Sequence, residues 1–102
     1  MTEYNKLVRD KIPDLIRGAG ETPHIRILDD GDYLAALETK LDEEVGEFHR
    51  DKTAEELADI LEVVYALAET RGCSREALMD IYQKKHTQRG GFEKRIFLIS
   101  KE

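Results

Sequence analysis

"EEVGEFHRDKTAEELADI", residues 43–60, holds seven carboxylates and three basic side chains (His49, Arg50 and Lys52) in eighteen positions. Apolar residues recur at helical spacing on both sides of its centre. Leu34, Leu37, Leu41, Val45 and Phe48 line one face of a helix expected from Asp32 to about Arg50. Thr53 and Glu56 then form a T-x-x-E capping box. It opens a second helix running to about Arg71, with Asp51 and Lys52 as the break between the two. Helices joined so closely fold back on each other. This hairpin makes the chain mostly α.

The hairpin also decides where the acids point. At roughly 100° per residue, Glu44 and Glu47 fall on one flank of the first apolar stripe. Glu56 and Asp59 fall on the same rotational flank of the second stripe, which centres near Leu57 and Val64. Glu55, Glu62 and Glu69 lie toward its other flank, and Glu43 points away from the core. With the stripes facing and the helices antiparallel, both acidic flanks come to one side. Heights match as well, because Glu47 with Glu56, and Glu44 with Asp59, are symmetric about the loop. Axes about 8–10 Å apart let the four side chains converge.

Two carboxylates about 4 Å apart repel by roughly 4 kcal/mol at an effective dielectric near 20. Such a quartet needs protons, basic partners or a cation. Its ligands are all oxygen, which favours Mg²⁺ or Mn²⁺ over Zn²⁺. The paired Glu-x-x-His motifs of a carboxylate-bridged iron pair are absent from these two helices. A competing arrangement spends Glu56 on the helix cap and pairs Glu44 and Glu47 with Lys40 and Arg50 at i,i+4 and i,i+3.

The rest of the chain frames this hairpin. "DKIPDLIRGAG" (10–20) reads as a short helix capped by Asp10, with Pro13 in its first turn and Gly18 or Gly20 at its end. "HIRIL" (24–28) and "FEKRIFLI" (92–99) read as a minor two-stranded element. Ser74 caps a third long helix that stops at Gly90-Gly91. "LADILEVVYALA" (57–68) is apolar on more than one side, so the bundle is expected to be completed by another subunit.

At 102 residues the chain is expected to be one domain, 1–102. A net charge of −6 argues against a nucleic-acid polymer as partner. A single cysteine, Cys73, cannot form an internal disulfide, and no apolar run approaches a membrane span. The expectation is a cytoplasmic protein without a membrane partner.

Glu43-Glu44-Val45-Gly46-Glu47, followed by Glu56-Leu57-Ala58-Asp59, resembles the E-E-x-x-E and E-x-x-D pair of the MazG-like all-α nucleoside triphosphate pyrophosphohydrolases. "YNKLVRDKIPDLI" (4–16) is similar to the N-terminal signature of a small single-domain subgroup, termed phosphoribosyl-ATP pyrophosphohydrolase-like. "RGGFEKRIFL" (89–98) is similar to that subgroup's closing pattern, so the likeness spans nearly the whole chain. The interval between the acidic motifs is shorter than in many members.

The resemblance implies that Glu44, Glu47, Glu56 and Asp59 bind Mg²⁺ and carry catalysis. It implies hydrolysis of a nucleotide between its α- and β-phosphates, a role that suits clearance of non-standard nucleotides. Phosphoribosyl-ATP hydrolysis in histidine biosynthesis is the enzymatic alternative, and a non-catalytic helical interaction module is the other. Members are typically dimers or larger, which implies a homodimer or homotetramer here.

A triphosphate needs further cations. Lys6, Arg9 and Lys11 lie in the family-like N-terminal stretch and are candidate phosphate contacts. So are Lys85 and Arg89, which continue the Leu78, Ile81 and Tyr82 stripe of the third long helix. Lys40, one turn before Glu44, is expected to offset the acids. Tyr4, Tyr33, Tyr65 and Tyr82 are candidates for stacking on a base or for packing in the core. Gly46 inside a helix costs about 1 kcal/mol against alanine, which suggests a close approach there.

Overall fold

Two residues separate the long helices α2 (Asp30–Asp51) and α3 (Ala54–Thr70), and they reverse the chain. Lys52 adopts the left-handed conformation (φ 55°, ψ 37°), and its N–H donates to the Phe48 carbonyl at 2.8 Å. Thr53 is extended, and its hydroxyl accepts from the Glu56 N–H at 3.4 Å. The hairpin follows from these two local events. This computed structural model describes residues 2–102; α1 (Ile12–Gly18) and α4 (Arg75–Arg89) complete the helices, and no strand forms among the described residues.

The caps match their sequence signals at α3 and α4. Ser74 Oγ accepts from the Ala77 N–H at 3.1 Å, and α4 ends at Gly90, whose φ of 80° suits a residue without a side chain. α1 differs. Its N-cap is Lys11 and receives no side-chain bond, so Asp10 does not cap it.

α3 packs along α2, and α4 packs on α3; α1 touches no other helix. Leu37 and Val63 are the buried hydrophobic residues among those described, and Leu34, Leu41, Val45 and Phe48 on α2 with Ile60 and Leu67 on α3 are partly covered. The face that α3 turns to α2 is therefore about a quarter turn from the Leu57/Val64 stripe, on the side of the acids. Leu57 and Leu61 remain half exposed. α3 carries two apolar stripes, and α2 uses the one nearer Glu56 and Asp59.

Neither expected strand forms. Residues 92–99 are interrupted by a turn in which the Arg95 N–H donates to the Phe92 carbonyl at 3.0 Å, with Arg95 itself left-handed at φ 58°. Ile96, Phe97, Leu98 and Ile99 are four apolar residues in succession, so no alternation selects a face. All four are largely exposed, as are Ile25 and Ile27. The stripe on α4 is also uncovered: Leu78 is partly shielded, whereas Ile81 and Tyr82 are half exposed and Lys85 and Arg89 face solvent.

The result is elongated, with a radius of gyration of 17.9 Å and extents of 60 × 32 × 24 Å. A compact domain of this length has a radius near 13 Å. No helix among the described residues is long and apolar enough to cross a membrane.

A Cβ placed on Gly46 would meet no atom within 4 Å, so nothing in the chain approaches it closely. Gly46→Ala is therefore expected to stabilise the protein by about 1 kcal/mol through helix propensity alone, read from urea unfolding.

Candidate metal centre

Glu44 and Glu47 stand on α2, Glu56 and Asp59 on α3, in register across the hairpin. One carboxylate oxygen from each lies within 4.8 Å of the other three. At that separation Glu44 and Glu47 repel by at least about 3.5 kcal/mol at an effective dielectric near 20. Glu44 is only 6% exposed, and its Oε2 is buried without a hydrogen-bond partner. Glu56 Oε2 is likewise buried and unpartnered. Two acceptor oxygens, one from each helix, are thus shielded from water and unused.

The competing arrangement is realised only in part. Lys40 Nζ does sit 3.2 Å from Glu44 Oε1, as i,i+4 spacing allows. Arg50 turns instead toward Asp51 at 3.7 Å and leaves Glu47 free of an ion pair among the described residues. Thr53 takes the Glu56 amide, but no bond returns from the Glu56 side chain to the cap among the described residues. Glu56 is therefore available to the quartet.

The N-terminal segment supplies the other cations. Arg9 Nη2 lies 2.7 Å from Asp59 Oδ1, and Lys6 Nζ lies 3.2 Å from Glu43 Oε1. Lys40 also reaches Glu43 Oε2 at 3.3 Å, so Glu43 is partly covered by two lysines rather than pointing into open water. Of the five basic candidates for phosphate contact, Lys6 and Arg9 are brought to the acids. Lys11 caps α1, and Lys85 and Arg89 lie on the exposed end of α4; these three make no ion pair among the described residues.

The charges do not balance. Glu43, Glu44, Glu47, Glu56 and Asp59 face Lys6, Arg9 and Lys40, which leaves two negative charges when every group is ionised. Titration reflects this. Burial pushes the Glu44 carboxyl above its ordinary value, Lys40 pulls it back, and the neighbouring Glu47 adds to the rise. Glu56 is also raised, by desolvation and then by Glu47, Asp51 and Asp59. Glu43 is lowered despite its desolvation, because Lys6 and Lys40 both donate to it. Lys40 is held protonated by Glu44 and Glu43 although burial alone would favour loss of its proton.

Four oxygens converging from two rigid helices, with a residual charge of minus two, suit a hard divalent cation. Imidazole and thiolate donors are absent from the cluster.

Comparison with known proteins adds one likeness. A stretch of 48 residues, 47% of this chain, is 58% identical to an uncharacterized protein of Mycolicibacterium smegmatis. The match spans 49% of that protein, about half its length. No protein-family model and no solved structure matches the chain.

The raised Glu44 carboxyl carries a pH signature. A group whose folded pKa exceeds its unfolded value of 4.5 favours the native state while protonated, and that contribution is lost as pH rises through the folded value. Without metal, Glu44→Gln should therefore melt above the native protein. The gap opens as pH climbs past about 4.5 and levels off once the raised carboxyl is ionised. Paired thermal melts in chelator between pH 4 and pH 8, roughly the carboxylate-to-neutral range, provide the check.

Proposed function

We propose that the protein is a Mg²⁺-dependent nucleoside triphosphate pyrophosphohydrolase, releasing a nucleoside monophosphate and pyrophosphate. The observation that carries this reading is the quartet with two buried, unpartnered carboxylate oxygens. The likeness of both acidic motifs and the N-terminal segment to the MazG-like enzymes supports it. Glu44, Glu47, Glu56 and Asp59 would hold Mg²⁺, with Mn²⁺ as a substitute of the same oxygen preference. When bound, the ion supplies charge neutralisation at the phosphate oxygens.

The chain's own groups do the rest. A carboxylate of the quartet accepts the proton of the attacking water as water adds across the α–β anhydride and pyrophosphate departs. Glu47 suits this role, since it has no cation partner among the described residues and neighbours both Glu44 and Glu56. Arg9 has two uses. In the resting site it neutralises Asp59 at 2.7 Å; with nucleotide present it turns to a phosphate oxygen, where a guanidinium matches the geometry. Lys6 and Lys40 keep Glu43 from adding to the repulsion.

The working form is a homodimer or homotetramer. Leu57, Leu61, Ile81 and Tyr82 leave an apolar surface along α3 and α4, while Ile25 and Ile27 of "HIRIL" and Ile96 to Ile99 of "FEKRIFLI" add further exposed apolar side chains. In the assembly these two segments are covered and supply the minor two-stranded element.

Pyrophosphate release from nucleoside triphosphates, and separately from phosphoribosyl-ATP, tests the activity and its substrate. Glu47→Gln and Asp59→Asn should each lower Mg²⁺-dependent turnover at least a hundredfold with the helical circular dichroism intact. Turnover unchanged in both contradicts the assignment. Arg9→Gln should bind Mg²⁺ more tightly in the absence of nucleotide, having lost a competing cation, yet lower kcat/KM at least tenfold.

Light scattering should give two or four times the 11.7 kDa mass of one chain, and a mass of one chain would contradict the assembly. Leu61→Asp should shift that mass downward and lower the melting temperature, because it places a charge in the covered surface.

A further inference from the structure

Charge is divided unevenly along the chain. Residues 84–102 carry six basic and two acidic side chains, a net of +4, whereas residues 1–83 carry ten basic and twenty acidic, a net of −10. The basic segment is also the least covered part of the molecule. Beyond Gly90, Phe92, Ile96, Phe97, Leu98 and Ile99 are between 76% and 97% exposed. Five large apolar side chains, with Lys94 and Arg95 among them, thus form an arm that has no seat on its own chain.

A surface of complementary character stands open on α3. Ala54, Leu57, Ala58 and Leu61 are all exposed, and their spacings of three, one and three residues place them on one side of the helix. The two alanines leave room beside Leu57 and Leu61 for bulky side chains. Glu55 and Glu62 border this patch, one turn to either side of Ala58. Neither has an ion-pair partner among the described residues. Lengths agree as well. From Ala54 to Leu61 the helix rises about 10 Å, and Ile96–Ile99 in extended form span about 13 Å.

One occupant carries both halves of this match: a second copy of the chain. A membrane or nucleic-acid surface would suit Lys94 and Arg95, but it would meet the net −10 of the remaining residues and leave Leu57 and Leu61 bare. Two copies, each with a net charge of −6, repel in most orientations. The approach that charge favours brings the basic arm of one to the acidic hairpin of the other. A two-fold axis makes that contact twice, because arm and patch belong to the same chain.

We propose that two copies exchange arms, residues 92–99 of each lying on the Ala54–Leu61 patch of the other. Ile96 to Ile99 cover Leu57 and Leu61, and Lys94 and Arg95 stand opposite Glu55 and Glu62. The inference rests on the assembly described above and names the contact that holds it together. Since Glu55 and Glu62 share α3 with Glu56 and Asp59, each arm also braces the helix that carries half of the other copy's quartet.

Light scattering on charge-reversed variants at micromolar chain tests the exchange. Lys94→Glu/Arg95→Glu reverses the arm, and Glu55→Lys/Glu62→Lys reverses the patch. All four side chains are exposed, so helical circular dichroism should persist in both variants. Each variant alone should lose at least half of the native mass. An equimolar mixture should regain it, because a mixed pair joins native arm to native patch and reversed arm to reversed patch. Phe97→Ser/Ile99→Ser, which removes apolar contact and leaves charge alone, should also dissociate. Native mass retained in all three variants overturns the proposal and leaves assembly through another surface standing. A mixture that stays dissociated overturns it too, since an arm folded onto its own chain gains nothing from mixing. Native protein at the mass of one chain overturns exchange and assembly together, while pyrophosphate release still decides the activity. Flotation with phosphatidylserine vesicles that Lys94→Glu/Arg95→Glu abolishes, with its mass unchanged, gives the arm to a membrane and overturns the exchange.

Discussion

Mutual repulsion among carboxylates held on facing helices is the constraint around which this chain is arranged. The two-residue reversal at Lys52 and Thr53 sets Glu47 against Glu56 and Glu44 against Asp59, and the helices are too rigid to let them separate. The protein answers with Lys40 from within α2 and Arg9 from the N-terminal strap. Those two, with Lys6 on Glu43, still leave two negative charges and two unused buried oxygens. The imbalance lies on the loop side of the small core formed by Leu37 and Val63. A structure organised for stability alone would place a fourth cation or an apolar residue there.

The same geometry links site and fold. Because α3 turns its acid-bearing side toward α2, its other apolar stripe faces outward, and α4 covers little of it. Placing the acids at the hairpin interface therefore exposes Leu57 and Leu61. The elongated shape and the open C-terminal segment belong to the same trade: the chain gives up part of its own core to build a charged groove along the hairpin.

Much of this was legible in the sequence, for identifiable reasons. The hairpin and its caps follow from local signals: the 3.6-residue period of α2, the T-x-x-E box and Ser74. The quartet was legible because positions symmetric about a tight loop come to equal heights, whatever the packing details. Rotation of α3 was not, since two apolar stripes compete on one helix and only tertiary contact chooses between them. Arg9 on Asp59 joins residues 50 apart through an irregular strap, a pairing no periodicity encodes. The strands failed at 92–99 because a turn at Arg95 breaks the run and four consecutive apolar residues give no alternation. Asp10 looked like a cap by residue type, but α1 begins one residue too late for it to serve.

Counting bound Mn²⁺ by electron paramagnetic resonance tests the central claim most directly, because it needs neither substrate nor turnover. The account predicts at least one ion per chain in the native protein at micromolar metal, displaced by excess Mg²⁺ and lost in Glu56→Gln. A spectrum of free Mn²⁺ alone, with native protein present at millimolar metal, would contradict it.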